Sequence, residues 1–467
     1  MKVGKNQIYI IMLELCALLY SAMYLGLYGS SLTFVKYSRF GVVVLLLDLV
    51  LFCIAQKKIV TIQTLFLMLF ALFQFGLPIV YAFDPKHYNF YMTLFSEKTL
   101  ISAVKYTIFA IQTYIIIATC VISNRNNAEK KGKVGKWTRT ILTHPRDVED
   151  AALLLFIITA IVAVPVNLWS AVRALTAGVA FGNLYRGAMA ANGLTRFLQE
   201  YFFSSALLYL CFSNKKKRKK VVVAVYLVVA IFMVLVADRS GGVTALIVCT
   251  LYYYYTGDKR KRKRNTIVLI GGCVVLAMVS SAVASIRSGE SIQSGISLLF
   301  RALEEMGFNF TSLCFVMDYI PSRTSYRLGM SYIVALILLI PKSLGLGAVY
   351  PKLQSYLGET WLWNANNLYG RDFLSFGVGF SMIAESYYNF SWCGLVVMIP
   401  LAVIITHLLK EKKIENAWSL YIRLALMLSF FTVPRRQFQS VIKAIEYSVF
   451  FMALYLLVYI GIKRKEG

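Results

Sequence analysis

A chain of 467 residues that is 58% hydrophobic, with a mean hydropathy of +0.65 and a formal charge of +27, is not a soluble domain; soluble domains average nearer half apolar and lack long uncharged runs. The basic excess excludes a nucleic-acid binder, because the lysines and arginines stand in short clusters between apolar runs, the pattern of membrane-topology signals. The eight cysteines imply neither a disulfide framework nor a metal centre: no CxxC or Cys/His spacing occurs, and Cys16, Cys53, Cys120, Cys211, Cys249 and Cys273 stand in apolar runs as small apolar residues.

The first apolar run, 8–28, is of spanning length and has no clear small-residue cleavage site after it, so it reads as a span and not as a signal peptide. Further spans are predicted at 41–56, 60–82, 103–122, 151–168, 199–213, 221–237, 243–256 and 266–285, and then at 392–409, 418–433 and 441–462. About twelve such helices make an all-α polytopic membrane protein. The basic connections "SNRNNAEKKGKVGKW", "NKKKRKK" and "GDKRKRKRN" and the tail "KRKEG" all fall on one side. The positive-inside rule makes that side cytoplasmic, and both termini with it.

Two outer connections are very short, "DRSGG" (238–242) and "PRRQFQS" (434–440). One is long: 286–391 forms a large extracytoplasmic loop between an N-terminal membrane bundle, 1–285, and a C-terminal one, 392–467. Loops of this length are usually functional or disordered. This one is rich in Leu, Phe, Tyr and Trp, which argues for order, and its segments "SGISLLFRALEEMGFNFTSLCF" and "SYIVALILLIP" read as helical or interfacial. No internal repeat is present.

Lysine dominates the cytoplasmic connections and arginine the outer ones. Topology needs only positive charge, so an outer preference for Arg calls for another cause, and guanidinium is the better group for gripping phosphate or carboxylate oxygens in two places. Arg239 and the pair Arg435 and Arg436 occupy the short outer turns, where a lipid phosphate would lie; Arg173, Arg186, Arg287 and Arg371 are further outward candidates for binding an anionic substrate. The alternative for each is snorkelling to lipid headgroups or pairing with a neighbouring acid.

In "FGVGFSMIAESYYNFSWCG", 376–394, a helix from Ser381 puts Ser381, Glu385 and Tyr388 or Asn389 on one face, after glycines that allow a tight bend. A carboxylate facing lipid is costly, so Glu385 faces either a watered cavity, as a general base, or a partner that pins the loop to the bundle. Glu14 and Asp48 stand in early spans and are the feature most favourable to a transporter. The three histidines, His87, His144 and His407, are scattered; only His87 is outside, which gives a histidine base little support.

The pattern of spans, cytoplasmic termini, a late outer loop and the closing "GVGFSMIAESYYNFSWCG" resembles the O-antigen and capsular polysaccharide polymerases of the Wzy type, which are related to O-antigen ligases. The glycine-rich run leading to E-x-Y-x-N-F carries the likeness. The resemblance implies a GT-C-like helical fold, undecaprenyl-pyrophosphate-linked glycan substrates, and metal-independent, inverting glycosyl transfer without a cofactor at the outer face of a bacterial cytoplasmic membrane. It also implies a flippase and a chain-length regulator as partners. Carried over by position, Arg239 in "ADRSGG" looks like the family's arginine in a short outer turn, and Arg435 or Arg436 like a second pyrophosphate contact. Related ligases carry a histidine in the late loop; "NANNLYGRDFLSFGVG" has none, which moves the base to Glu385, with Arg371 orienting the substrate.

On that reading Glu385 and Arg239 are catalytic, the other arginines bind substrate, and aromatic residues such as Tyr388, Tyr387, Trp361, Trp363 and Tyr369 suit either sugar faces or interfacial anchoring. The rivals are a lipid-linked oligosaccharide flippase, a ligase that hands the glycan to another acceptor, and a non-catalytic scaffold. Flippases are commonly built from repeats with short loops, and neither feature fits the sequence.

Overall fold

The computed structural model describes residues 5–27, 32–56, 61–123, 145–176, 193–236, 239–257, 271–272, 296–340, 349–362, 379–409, 416–431 and 433–443, with a few single positions up to 460. Among them every regular element is a helix. In chain order these are α1 Lys5–Leu27, α2 Phe34–Gln56, α3 Ile62–Phe83, α4 Glu97–Ser123, α5 Pro145–Thr176, α6 Gly193–Phe212, α7 Lys216–Val236 and α8 Arg239–Thr256. They continue with α9 Ile296–Gly307, α10 Asn309–Tyr319, α11 Met330–Ile337, α12 Tyr350–Gln354, α13 Met382–Phe390, α14 Met398–Leu408 and α15 Ala417–Phe430, and three 3-10 segments add Phe90–Leu94, Ser391–Val397 and Val433–Arg435.

Seven described helical stretches are long and apolar enough to cross a membrane: Gln7–Leu27, Phe34–Gln56, Ile62–Phe83, Glu97–Ile122, Val148–Trp169, Met382–Leu408 and Ala417–Arg435. Each has the roughly 20 apolar residues that hydrocarbon demands. The expected span 266–285 lies almost wholly outside the described residues, and 441–462 largely so.

The chain divides into two compact units. The first comprises Met1–Lys131, Leu303–Glu411 and Val433–Lys443. In it α2 packs on α3 and α4, α1 on α2 and α4, and α14 on α4. Gln63 near the start of α3 donates to the Thr406 carbonyl near the end of α14 at 3.1 Å, so the start of α3 and the end of α14 lie at one level of the bundle. At the other end the Phe34 N–H donates to Glu97 Oε1 at 3.1 Å and Arg39 Nε to the Ala82 carbonyl at 2.9 Å, which tie together the start of α2, the end of α3 and the start of α4. The second unit comprises Gly132–Ala302, Lys412–Thr432 and Ala444–Gly467. There α5 packs on α6 and α7, α7 on α8, and α15 on α6 and α8. The Ser213 hydroxyl donates to Glu149 at 2.9 Å and Lys215 pairs with the same carboxylate at 3.8 Å, which joins the ends of α5 and α6.

Two features of the first unit were not visible in the pattern of apolar runs. Within the segment expected as an outer loop, α10 is buried along nearly its whole length and packs against α3, α4 and α13. And Met382–Leu408 is not one straight rod. A Cβ on Gly394 would overlap the Ser386 carbonyl and meet the Tyr106 hydroxyl at 2.5 Å. Residues eight apart in a straight helix are separated by about 12 Å, so the chain doubles back at Phe390 and Ser391, where Ser391 has φ 56. The span proper then starts at the 3-10 segment and runs through α14, in agreement with the expected 392–409, and α13 is a separate buried helix folded against its 3-10 half. Gly394→Ala should therefore force α13 away from the span. Overpacking of this kind costs about 1–3 kcal/mol, and a lowered thermal midpoint in detergent, with Ala substituted at the exposed Val396 as control, is the expected readout.

Candidate functional site

The site centres on α13. Ser381 caps it, accepting from the Ala384 N–H at 3.1 Å, and this fixes the register that turns Glu385 inward. Glu385 is 0% exposed and both of its oxygens are engaged. The Ser331 hydroxyl donates to Oε1 at 2.7 Å, and the Phe438 N–H donates to Oε2 at 2.7 Å. One carboxylate thus joins three stretches far apart in sequence: α13, the start of α11, and the turn after α15. A buried carboxylate is tolerated when its lone pairs are met in this way.

Asn389, one turn on, completes the clasp. Its Nδ2 donates to Ser331 Oγ and to the Glu385 carbonyl, both at 2.8 Å, and its Oδ1 accepts from the Gly329 N–H at 3.0 Å. The backbone follows suit, with Arg327 and Leu328 N–H groups donating to the last carbonyls of α13, those of Tyr388 and Asn389. Tyr388 is fully buried, and its hydroxyl accepts from Arg327 Nε at 2.9 Å while the guanidinium lies 5.6 Å from the Tyr356 ring centre. Half-buried Arg327 is thereby held in one orientation.

The turn at 433–439 is fixed as firmly. Gln74, 2% exposed on α3, donates to the Pro434 carbonyl at 2.5 Å, Gln437 accepts the Glu359 N–H at 3.0 Å, and Phe438 is held by Glu385. Gly379, at φ +72, lies against the same turn: a Cβ there would come within 3.2 Å of the Arg435 carbonyl and 3.1 Å of Asn309 Oδ1. Between these anchors Arg435 is half-buried and Arg436 exposed. Gln74 stands about 16 Å along α3 from Gln63, so the arginine turn lies part-way along the bundle, in the half away from the level that Gln63 shares with Thr406.

Of the residues expected from sequence, Glu385, Tyr388, Arg435 and Arg436 come together in the first unit. Arg239 opens α8 and Arg173 lies in the last turn of α5, both in the second unit. Arg186, Arg287 and Arg371 fall outside the described residues, as do Trp363 and Tyr369. Trp361 is 6% exposed with its ring 5.2 Å from that of Tyr388, and Tyr387 packs edge-on to Tyr106 at 5.1 Å, so these aromatics serve the packing of α13.

Arg327 and Ser331 belong to the site and were not singled out by spacing. The signal for Arg327 was its place among the outer arginines; nothing in the sequence marked Ser331. Elsewhere in this unit Glu14 of α1, Asp48 of α2 and Gln112 of α4 meet in the bundle, all 0% exposed. His87, between α3 and α4, has Nε2 3.3 Å from Glu304 and Nδ1 3.9 Å from Asp84, while Asn89 donates to Glu304 at 2.5 Å. Among the described residues no group of three or more His, Cys, Asp and Glu side chains is placed to hold a metal ion.

A buried carboxylate that holds an arginine-bearing turn within a helical membrane bundle can present fixed positive charge to an anionic group. No curated protein and no solved structure matches the chain. The family model for the O-antigen polysaccharide polymerase Wzy matches residues 8–466, nearly the entire chain, and the chain belongs to that family.

Proposed function

We propose that the protein joins lipid-linked oligosaccharide repeat units into a polysaccharide at the outer face of a bacterial cytoplasmic membrane. The substrates would be glycans on undecaprenyl pyrophosphate. A sugar hydroxyl of one repeat attacks the anomeric carbon of the growing chain on a second carrier; the carbon–oxygen bond to the pyrophosphate breaks, its electron pair leaves with the pyrophosphate, and the hydroxyl proton is released. Transfer is inverting and needs no metal when arginines carry the developing charge. A GT-C-like bundle of about twelve spans, with both termini cytoplasmic, is the architecture that accompanies this reading. The division into bundles 1–285 and 392–467 around an extracytoplasmic segment, 286–391, goes with it, as do a flippase and a chain-length regulator as partners.

The observation that carries the reading is the anchored turn with Arg435 and Arg436, held by Glu385 through Phe438 and by Gln74 through Pro434. Preorganised donors of this kind stabilise a departing pyrophosphate without reorganisation cost. Arg239, Arg173, Arg186, Arg287 and Arg371 are candidates for binding an anionic substrate. A general-base role asks Glu385 to exchange one of its donors for a substrate hydroxyl. A positioning role asks nothing to move, and the two occupied oxygens support it. Tyr388 likewise acts through Arg327, by orienting it.

A transport reading draws on one observation, the buried Glu14 and Asp48 pair, since acids inside a membrane often mark ion paths. One experiment separates the two: the purified protein in liposomes is given lipid-linked repeat units and assayed both for a product ladder and for movement of labelled lipid between leaflets. A ladder without movement is the expected result. Movement without a ladder would replace the polymerase by a flippase, and a single transfer to a foreign acceptor would make it a ligase.

A further inference from the structure

The helix α11 presents large apolar side chains in two directions. Ser331, Val334, Ala335 and Leu338 face inward and are buried, at 0–5% exposure. Met330, Ile333, Leu336 and Ile340 follow one another at helical spacing on the other side and are 36–51% exposed. Leu328, just before the helix, is 76% exposed at φ 49. A helix that is apolar all round does not lie in water.

Its depth can be read from the hydrogen bonds. The level of Thr406 is the cytoplasmic level, shared with Gln63, and the lysines at 57, 58, 410 and 412 flank it in sequence. From Thr406 up through α14 and the 3-10 segment to Ser391 is about 27 Å. Asn389 lies just before that point and binds Gly329 and Ser331 directly, and Glu385, lower on α13, binds Ser331. The first turn of α11 is therefore about 25 Å above the cytoplasmic level or lower, and any tilt of the span brings it lower still. The hydrocarbon core is about 30 Å thick. The start of α11 is thus placed inside the outer leaflet, at the depth of the outer part of the span, whose Trp392 and Val396 are 40% and 64% exposed.

We infer that α11 is a half-helix embedded in the outer leaflet, and that the face formed by Met330, Ile333, Leu336 and Ile340 is covered by the acyl chains of bilayer lipids. Part of the segment expected as an extracytoplasmic loop with helical or interfacial stretches is then a wall of the membrane bundle. Because Ser331 and Gly329 are bonded to α13, the helix on which such a lipid lies is joined directly to the element that carries Glu385. This inference rests on burial and depth and does not depend on the polymerase reading.

The test uses the full chain in nanodiscs containing phosphatidylcholine with a diazirine at the acyl terminus, and a water-soluble diazirine in parallel, with adducts mapped by mass spectrometry. Acyl-probe adducts across Leu328–Ile340, at the level found for Trp392–Ile404, are the expected result. Adducts from the water-soluble probe alone would put α11 in the aqueous phase, and adducts from neither would mean that protein covers it, a second copy included; both overturn the inference. Ile333→Asp, whose short carboxylate cannot snorkel to the headgroups, should cut acyl labelling of Leu328–Ile340 by about five-fold or more while leaving Trp392–Ile404 unchanged. Equal labelling in that variant would also overturn it.

Discussion

Glu385→Gln is expected to lower kcat/KM for chain extension by about 100-fold in a protein that remains folded. The amide is nearly isosteric, but its geometry is wrong for the site: Ser331 Oγ and the Phe438 N–H both donate to the carboxylate, whereas Gln offers one acceptor and one donor. One of the two partners then faces an N–H. The cost of such an unpaired buried donor is about 1–3 kcal/mol, and the hydroxyl of Ser331 can rotate while the backbone N–H of Phe438 cannot. The amide carbonyl therefore stays with Phe438, and the disturbance falls on Ser331, whose hydroxyl already accepts from Asn389, and through that clasp on α13, against which the turn at 433–439 is held. A displacement of about 1 Å in groups that orient a reacting substrate is enough for a loss of this size.

The kinetic form of the loss tells the two roles of Glu385 apart. If Glu385 positions the arginine turn, KM for the lipid-linked donor rises in the Gln variant and the pH profile keeps its shape. If it is the proton acceptor, kcat falls at unchanged KM and the residual rate climbs with hydroxide concentration. Full activity in Glu385→Gln would remove the residue from the function altogether. Circular dichroism and size exclusion in detergent, run beside the assay, identify a variant that has simply failed to fold.

How much of this could be read from the chain depends on what each feature needs. The spans at 60–82 and 392–409 needed only apolar length, and α3 and the stretch through α14 match them within a few residues. Helix α4 begins at Glu97 and α2 at Phe34, earlier than expected at 103 and 41, because both ends are polar turns held by the Phe34 to Glu97 and Arg39 to Ala82 bonds, which hydropathy cannot register. The polar face of α13 was legible from i, i+4 spacing, since Glu385 and Asn389 are one turn apart. Their common partner, Ser331, lies 54 residues from Glu385 and has no sequence mark. Helix α10, Asn309–Tyr319, is half the length of a span, so its burial in the bundle shows only once α3, α4 and α13 surround it. The same holds for Glu14 and Asp48, two separate intramembrane acids in the sequence and one cluster in the fold.

Arg435→Ala and Arg436→Ala should each lower kcat/KM by about 10²- to 10³-fold, the loss found when one preorganised charge-stabilising donor is removed. The lysine variants should differ. Arg435 is half-buried, with its Cγ packed 3.7 Å from the Cβ position of Gly379, so a lysine there keeps the charge but gives up a guanidinium whose stem is already wedged in place. Arg436 is exposed at the end of the 3-10 turn, and Lys can still reach an oxygen of a diphosphate as a point charge. Arg436→Lys should accordingly retain more activity than Arg435→Lys. Because an exposed charge is screened over about 10 Å at 0.1 M salt, raising ionic strength should raise KM in the wild type and change it much less in Arg436→Ala. The opposite result has a definite meaning. If the double alanine variant builds the same ladder with the same salt dependence, the two guanidinium groups serve bilayer phosphates and not the substrate, and the charge that assists a departing pyrophosphate must be sought among the remaining candidate arginines, Arg239 first.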